Sequence, residues 1–268
     1  MNLIAVSDPA EPAVQAFRDV KERDLTGRQG MFIAEGEVVL NVLASEASRC
    51  QAVAVLIAEK RLDALTPVLS RLGPDAPIYL APQAVLDQVA GFHLHRGILA
   101  LGRKPEPIDL DAFLDALPER VVLVGACGIG NHDNMGGLFR NAAAFGASGM
   151  LLDSTCCDPF YRKAIRVSVG AVLRTPFVAG LDTADMVARL QARGFDVLAL
   201  TPSAAETLSE LKPAPRTVIL LGSEGPGLPK AVIDRCHGLG IRMHGGFDSL
   251  NVAATSAVAL HHVATNLP

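Results

Sequence analysis

The sequence predicts an α/β fold with a mostly parallel sheet, and three observations support this fold class. Short runs of Val, Ile and Leu alternate with longer amphipathic stretches along the 268 residues, as strands and helices do in α/β proteins. The runs in the second half are apolar throughout, which is typical of strands covered by helices on both faces. Half of the residues are apolar, so a chain of this length buries a large core without disulfides.

The N-terminal part reads as a small α/β domain that alternates strands and helices. An early surface helix is expected near residues 14–24. The apolar spacing then predicts strands at 31–34, 53–58, 77–80 and 97–101, with helices at 37–47, 63–71 and 84–90. Two prolines among mixed charges at 103–107 mark a linker. We therefore divide the chain into a domain at 1–104, a linker with a first helix at 105–118, and a second domain at 119–268.

The second domain repeats the alternation with more buried strands. A capped helix is predicted at 109–116. The strands are expected at 121–124, 149–152, 176–179, 196–200, 217–221 and 240–243, and the helices at 136–145, 161–167, 183–193, 230–236 and 250–263. Parallel sheets of this kind bind ligands where the carboxyl ends of the strands open into Gly-rich loops.

Composition excludes several modes of binding. The net charge of −4 excludes a protein that holds nucleic acid by bulk basic charge. Aromatic residues make up 4% of the chain, which argues against a stacking platform for single-stranded bases. The five cysteines are scattered without a C-x-x-C motif, as expected for reduced thiols in the cytoplasm. No metal site, signal peptide or membrane span is expected, because no third ligand accompanies His93 and His95 and the N-terminus lacks a basic start with a long apolar run.

Three Gly-rich loops follow predicted strands of the second domain, at 125–137, 221–229 and 243–251. The first lacks the third glycine of a dinucleotide fingerprint, and no Gly-Lys-Ser/Thr of a phosphate loop occurs in the chain. The second is not a nucleophile elbow, because Leu221 stands where the first glycine would be. The loops instead place polar side chains and open backbone N–H groups at three strand ends, and Asp248 or Ser249 can cap the helix after the third.

These loops resemble the three motifs of SpoU-type (TrmH-like) RNA 2′-O-ribose methyltransferases of the SPOUT superfamily. The matching strings are Asn134-x-Gly136-x-x-x-Arg140, then Leu220-Leu221-Gly222-Ser223-Glu224-Gly225-x-Gly227-Leu228, and Ile241-x-Met243-x-Gly245-x-x-x-Ser249-Leu250-Asn251. The chain departs from the pattern with Arg242 where Pro is usual and Ala253 where Ser is usual. A weaker match, at 32–37, resembles the start of the family's N-terminal substrate-binding domain.

The resemblance implies a fold, a cofactor and a set of site residues. The fold would be a SPOUT-type sheet with a C-terminal trefoil knot that binds S-adenosylmethionine. The implied catalytic residues are Arg140, Asn134, Glu224, Ser249 and Asn251. The implied cofactor-binding residues are Leu220, Gly222, Glu224, Gly227, Ile241, Met243, Leu250 and Asn251. Arginine is a poor base, so we expect Arg140 to orient the phosphate and stabilise the alkoxide.

The expected substrate is rRNA or tRNA, and the resemblance also implies a homodimer. Arg162, Lys163 and Arg166 follow the first motif, and Arg162 and Arg166 share a helix face that fits phosphate binding or a solvated surface. His93, His95 and Arg96 are weaker candidates for RNA contact. Two alternatives stay open at this point: an RNA-binding protein of the same fold without catalysis, and a SPOUT enzyme that methylates a base.

Overall fold

The computed structural model describes residues 1–18, 25–27, 29–245, 247 and 249–268. The chain forms two compact units, each with its own core. The first unit consists of Met1–Glu106 together with Asp158–Arg174, and the second consists of Pro107–Cys157 together with Thr175–Pro268. No helix within the described ranges is long and apolar enough to cross a membrane.

The first unit is built on a mixed sheet. Within the described residues its five strands lie in the order β1-β4-β3-β5-β2, with β5 antiparallel to both β3 and β2. The strands are β1 (Asn2–Ala5), β2 (Met31–Glu35), β3 (Gln51–Ala58), β4 (Pro77–Ala81) and β5 (Ile98–Arg103), and the helices are α1 (Glu37–Leu43), α2 (Leu62–Leu69) and α3 (Gln83–Ala90).

The start of the chain differs from the prediction. A strand at Asn2–Ala5 was not predicted, because its residues are all exposed at the edge of the sheet and carry no alternating pattern. A short 3-10 helix at Pro12–Phe17 stands where the surface helix at 14–24 was expected to begin. Residues 19–24 of that expected helix lie outside the described residues.

Residues Asp158–Arg174 pack within the first unit. The domain division predicted from the sequence assigned them instead to the second domain, at 119–268. Their helix, α6 (Arg162–Val167), lies on β2. The Phe160 ring stacks on Phe32 with 5.1 Å between the ring centroids, and Phe32 lies on Gly102, where a Cβ would stand 2.3 Å from the ring. Both rings are buried. The core of the first unit therefore includes a segment that follows the Pro-containing linker by more than fifty residues.

The second unit is built on a fully parallel sheet. Within the described residues its six strands lie in the order β11-β9-β10-β6-β7-β8. The strands are β6 (Val121–Ala126), β7 (Gly149–Asp153), β8 (Phe177–Leu181), β9 (Asp196–Leu200), β10 (Arg216–Leu221) and β11 (His237–Leu239). The helices are α4 (Leu110–Asp115), α5 (His132–Ala144), α7 (Thr183–Ala192), α8 (Lys230–Ile233) and α9 (Val252–Asn266).

The predicted fold class is confirmed, with one shifted strand. The last strand was expected at 240–243, but the structure places it at His237–Leu239, parallel to β9. A three-residue strand that contains His and Gly has too little apolar pattern to be recognised. Ile241 and Met243 consequently lie in the loop that leads to α9. The trefoil knot stays a prediction.

Candidate active site

The candidate site lies where the two central strands of the second unit end. β6 and β10 are parallel neighbours, and Leu221 is in register with Ala126, so the loops after them leave the sheet at the same edge. The strands β7 and β8 extend the sheet on one side of this pair, and β9 and β11 extend it on the other. Ligands of open α/β sheets bind at such a reversal of strand order.

The loop after β10 folds tightly on itself. Gly222 lies so close to the returning chain that a Cβ there would stand 2.3 Å from the backbone nitrogen of Leu228. Ser223 and Gly227 form an isolated antiparallel bridge, and the Gly227 N–H donates to the Ser223 carbonyl over 3.1 Å. No residue larger than glycine fits at position 222, because the added atom would overlap the backbone. The motif's first glycine is therefore required by sterics.

Three side chains from the three predicted motifs meet at this edge. Asn134 in α5 donates from Nδ2 to Glu224 Oε1 over 2.5 Å. Asn251 donates from Nδ2 to Asn134 Oδ1 over 2.9 Å and to Glu224 Oε1 over 3.3 Å. Asn134 is only 5% exposed, whereas Glu224 and Asn251 are exposed. A buried amide thus holds a carboxylate at the surface, with one face of the cluster open to a ligand.

The structure does not join every predicted catalytic residue to this cluster. Arg140 is exposed on α5 and makes no hydrogen bond or ion pair with any residue that the structure describes. Ser249 is also exposed and stands just before Asn251 in the chain. Asp248, the other candidate cap for the last helix, lies outside the described residues. The cap of α9 is Asn251 itself, whose Oδ1 accepts from the backbone N–H of Ala253 over 2.9 Å.

The predicted cofactor-binding residues differ in how far their side chains are exposed. The Leu220 side chain is fully buried in the core, so only its backbone can face a ligand. Ile241 and Met243 are half-buried, and Leu250 is 44% exposed. The backbone is exposed at Gly225 and Gly245: both have positive φ, and a Cβ there would meet nothing within 4 Å. The Gly227 N–H and carbonyl, by contrast, are bonded to Ser223 within the loop. Open backbone beside exposed apolar side chains is a surface that a ligand can approach closely.

The model of the SpoU rRNA Methylase family matches residues 120–261, which is more than half of the chain. This chain belongs to the SpoU rRNA methylase family. A relative from Mycobacterium tuberculosis, named an uncharacterized tRNA/rRNA methyltransferase, is 38% identical over 267 residues, covering 96% of this chain and 90% of its own length.

Solved structures share the fold of this SpoU methylase over nearly its full length. An AdoMet-bound rRNA methyltransferase from Sinorhizobium meliloti superposes with a TM-score of 0.83 at 20% identity, covering 99% of each chain. An RNA 2′-O ribose methyltransferase superposes with a TM-score of 0.79 at 24% identity, covering 98% of this chain and 99% of its own. At these identities the comparison establishes the fold, including that of residues 1–119, which the family model does not cover.

Sequence reasoning missed Asp153, which binds the backbone of the loop that leads into the first motif of this SpoU methylase. Its carboxylate, at the end of β7, accepts from the Gly128 N–H over 3.1 Å and from the Thr155 hydroxyl and N–H. Burial alone would raise the pKa of Asp153, but the hydrogen bonds from Gly128 and Thr155 outweigh it and hold the pKa below its ordinary value. A charged carboxylate therefore anchors the loop. The available signal was an acidic residue directly after an apolar strand.

The packing of α9 on α5 was also missed. A Cβ on Gly137 would stand 2.6 Å from the Ala253 Cβ, so the two helices approach closely there. Next to this contact, Asn141 donates to the Ala253 carbonyl over 2.7 Å and to the Ser256 hydroxyl over 2.8 Å. The small residue at 253, which departs from the family pattern, is thus in contact with the glycine-containing face of α5.

None of the five cysteines of this SpoU methylase, all of which lie among the described residues, forms a disulfide. Burial raises the pKa of Cys127 and of Cys156 to about 12, so both are protonated at neutral pH and are poor nucleophiles. Cys156 accepts from the Ile129 N–H and donates to the Ala126 carbonyl, which holds the first-motif loop. Among the described residues, no group of three or more His, Cys, Asp or Glu side chains is placed to hold a metal ion.

Proposed function

We propose that this SpoU methylase transfers a methyl group from S-adenosylmethionine to a ribose 2′-hydroxyl of rRNA or tRNA. The observation that carries the proposal is the hydrogen-bonded cluster of Asn134, Glu224 and Asn251. These residues come from three separate segments, and they meet at the sheet edge where open α/β sheets bind ligands. The fold by itself does not need a surface carboxylate that two amides hold in place, so the cluster points to a function.

The residues present fit S-adenosylmethionine. The exposed backbone at Gly225 and Gly245 offers donors and acceptors for an adenine and an amino acid moiety. Phe247 is 76% exposed and Leu250 is 44% exposed, so two large apolar side chains lie at the surface close in sequence to Gly245 and can cover part of a ligand. We assign the cofactor to this surface, with Leu220, Gly222, Ile241 and Met243 shaping it.

The chemistry of the site follows from its charges. S-adenosylmethionine supplies an electrophilic methyl group on a sulfonium, and the protein must align the hydroxyl oxygen with it and help remove the proton. Arginine is a poor base, so we assign no proton removal to Arg140; the hydroxyl proton passes to water as the O–CH3 bond forms and the S–CH3 bond breaks. We assign to Arg140 the binding of the neighbouring phosphate and the stabilisation of the developing alkoxide.

Glu224 and its neighbours position the ribose in this proposal. Both amides of the cluster donate to Oε1 of Glu224, so Oε2 of this exposed carboxylate is available to accept from a ligand hydroxyl or amine. Ser249 is exposed beside the cluster and can donate to the same ligand. Asn134 orients the carboxylate, and its burial makes this orientation rigid.

RNA selection is assigned to the first unit. Arg162, Lys163 and Arg166 lie on α6, which belongs to that unit. We propose that residues 1–104 form an RNA substrate-binding domain to which these three residues add phosphate contacts. The absence of disulfides among the five cysteines, all of them in the described residues, is consistent with the cytoplasm as the compartment.

We further propose a homodimer formed on α9. The segment 249–268 contains no Asp, Glu, Lys or Arg, and Ala254, Val258 and His261 are exposed at helical spacing on this helix. An uncharged face of this kind suits a second copy of the chain. We expect wild type to sediment as a dimer, and Val258→Arg to sediment as a monomer, because the substitution buries a charge in the interface.

The decisive experiment is transfer of tritiated methyl groups from S-adenosylmethionine into RNA purified from cells that lack this protein. We expect Arg140→Ala to lower the rate by about 100-fold or more, the usual loss for a transition-state charge contact. Arg120→Ala is the matched control, because Arg120 is exposed just before β6, at the edge of the sheet opposite to the site. Its rate should equal that of wild type.

Alkaline hydrolysis of the labelled RNA then identifies the methylated atom. A methyl group on the 2′-oxygen blocks strand cleavage at that position, so the label should appear in an alkali-resistant dinucleotide. Label in a mononucleotide would show base methylation and would overturn the ribose assignment. A wild type that binds S-adenosylmethionine by calorimetry but labels no RNA would show a protein of this fold without catalysis.

A further inference from the structure

The loop between α3 and β5 presents a phenylalanine to solvent on a rigid support. Gly91, with φ 77°, ends α3 in the left-handed conformation and turns the chain outward. Phe92 is then 40% exposed, whereas Leu94, two residues later, is fully buried in the core. Asp87 accepts from the Leu94 N–H over 2.9 Å and from His93 Nδ1 over 2.7 Å, which ties the loop to the helix.

One arginine packs on this ring, and two further arginines lie at the end of β2. The Arg162 guanidinium carbon lies 4.9 Å from the Phe92 ring centroid, in a cation–π arrangement. One helical turn further along α6, Arg166 Nη1 lies 3.8 Å from Glu35 Oε2 at the end of β2. The Arg96 side chain lies against Gly36, the residue after Glu35. A Cβ added to Gly36 would stand 3.0 Å from Cδ and Nη1 of Arg96. We call Phe92, Arg96, Arg162 and Arg166 the Phe92 surface.

We propose that the Phe92 surface binds an unpaired nucleotide of the RNA substrate, with the base stacked on the Phe92–Arg162 pair and its phosphates on Arg96 and Arg166. The proposal rests on the RNA substrate of the proposed function and adds the part of the RNA that the first unit recognises. Aromatic rings and guanidinium planes are the groups on which proteins stack unpaired bases of RNA. All four residues belong to the first unit.

A structural role explains the exposed ring less well. Leu94 already anchors the loop in the core, and Asp87 and Gln83 bind its backbone, since Gln83 Nε2 donates to the Leu94 carbonyl over 3.2 Å. An exposed Phe contributes little further stability there. The scarcity of aromatic residues argues against a stacking platform for single-stranded bases, whereas the Phe92 surface needs a single ring with one guanidinium beside it.

The test compares Phe92→Ala with wild type in the methyl-transfer assay on RNA from cells that lack the protein. The KM for RNA should rise about 5- to 150-fold, the range measured for loss of one base–aromatic stack, while kcat stays unchanged. Phe92→Tyr should keep the wild-type KM, because it keeps the ring. Leu3→Ala is the matched control: Leu3 is 44% exposed on β1, at the opposite edge of the sheet from β2.

The salt dependence of RNA binding separates stacking from charge. Phe92→Ala should weaken binding to the same RNA without changing the slope of log Kd against log salt, because a stacked ring releases no counterion. Arg166→Gln should reduce that slope by about 0.7 to 0.9, the value for one phosphate contact. Ultraviolet crosslinking followed by mass spectrometry should find a nucleotide adduct on the tryptic peptide that contains Phe92.

The possible failures point to different conclusions. If wild type methylates RNA and Phe92→Ala has an unchanged KM and no adduct is found, the Phe92 surface does not bind RNA. If Phe92→Ala instead changes the sedimentation of the protein, the surface is a protein interface and the proposal is wrong. If the adduct forms but the label is released as a mononucleotide by alkali, the Phe92 surface stands and the ribose assignment fails.

Discussion

Asn251 uses the two ends of one amide for different purposes. Its Nδ2 donates to Asn134 and Glu224 at the candidate site, and its Oδ1 accepts from Ala253 and Ala254 at the start of α9. An Asn at an N-cap is common because the side-chain oxygen replaces a missing helix acceptor. Here the cap also fixes the direction of the Nδ2 atom, so helix capping and site geometry depend on one side chain.

Two substitutions at this position separate the two roles. Asn251→Asp keeps the capping oxygen and places a second carboxylate beside Glu224, so we expect near wild-type stability and a 10- to 100-fold loss of methyl transfer, in line with about 1.5–3 kcal/mol for a hydrogen bond to a charged group. Asn251→Ala should lose activity similarly and also lower the free energy of unfolding by about 1 kcal/mol. Thermal unfolding and the methyl-transfer assay measure both effects, and equal stability of the two variants would contradict the capping role.

All three members of the cluster were named from the sequence one residue at a time, but their contacts were not predicted. The motif strings place Asn134, Glu224 and Asn251 at strand ends, and parallel strands bring such ends to one edge. The strings do not reveal that Asn134 is buried, because its neighbours in α5 include both polar and apolar residues. Asp153 has no motif around it, and its role depends on a backbone N–H 25 positions away.

The packing of α9 on α5 depends on two small residues, a glycine and an alanine. Gly137 and Ala253 allow the two helix backbones to approach, and Asn141 then bridges them through the Ala253 carbonyl and the buried Ser256 hydroxyl. Both helices begin near the site, since Asn131 caps α5 and Asn251 caps α9. A change in the spacing of these helices would therefore alter the positions of Asn134 and Asn251.

Gly137→Ala tests this spacing. Alanine is a better helix former than glycine by about 1 kcal/mol, but the added Cβ would lie 2.6 Å from that of Ala253. We expect the overlap to prevail and the free energy of unfolding to fall by about 1–3 kcal/mol. Gly130→Ala is the control, because a Cβ there meets nothing and its φ is not positive; chemical denaturation should find it within about 0.5 kcal/mol of wild type.

The short strand β11 is held by a histidine between two carboxylates. His237 Nε2 lies 2.9 Å from Glu206 Oε2, and its Nδ1 lies 3.2 Å from Asp196 Oδ2. The hydrogen bond with Glu206, followed by that with Asp196, raises the pKa of His237 above its ordinary value. A raised pKa in the folded state adds stability that is complete below the unfolded pKa of about 6.5 and is lost as the pH rises through the folded pKa.

We therefore expect the stability difference between wild type and His237→Gln to shrink as the pH rises. Urea denaturation at several pH values from 5.5 to 9 measures it, with wild type the more stable form at the acidic end. A difference that stays constant or grows with pH would show that His237 is not charged in the folded protein. His262→Gln serves as the control, because His262 Nε2 contacts the Leu211 carbonyl and no carboxylate among the described residues.

The strands were predictable to the degree that they are buried. β6, β7 and β10 are buried along nearly their whole length and were recognised as apolar runs. β1 is exposed throughout, and β11 has three residues, so neither carries a pattern that distinguishes it from a loop. Their positions are set by pairing with β4 and β9, which is information from distant parts of the chain.

The two units are each made of two chain segments. Residues Asp158–Arg174 leave the second unit between β7 and β8 and complete the first unit. Phe160 provides the clearest contact, through its stack on Phe32 and the Lys104 ammonium 5.1 Å from its ring centroid. Hydrophobic periodicity finds the helix in this segment but not the unit in which it packs, because periodicity carries no information about the partner.

Phe160→Ala should destabilise the first unit selectively. Truncation of a buried Phe costs about 3–5 kcal/mol, and Phe160 is 3% exposed. In hydrogen exchange, peptides from β2 and β5 should lose protection, while peptides from β6 and β10 and the affinity for S-adenosylmethionine stay unchanged. Phe160→Leu keeps most of the volume and should have a smaller effect. Equal loss of protection in both units would contradict the assignment of this segment.

The path of residues 158–174 has a consequence for biosynthesis. A ribosome adds residues from the N-terminus, and a domain can complete its fold only when its last segment has emerged. The first unit ends at Arg174, so residues 1–106 must wait, partly exposed, while β6, α5 and β7 are translated. The same path limits recombination between relatives: exchanging 1–106 alone would leave the incoming unit with a foreign α6, and only a two-segment exchange would preserve its core.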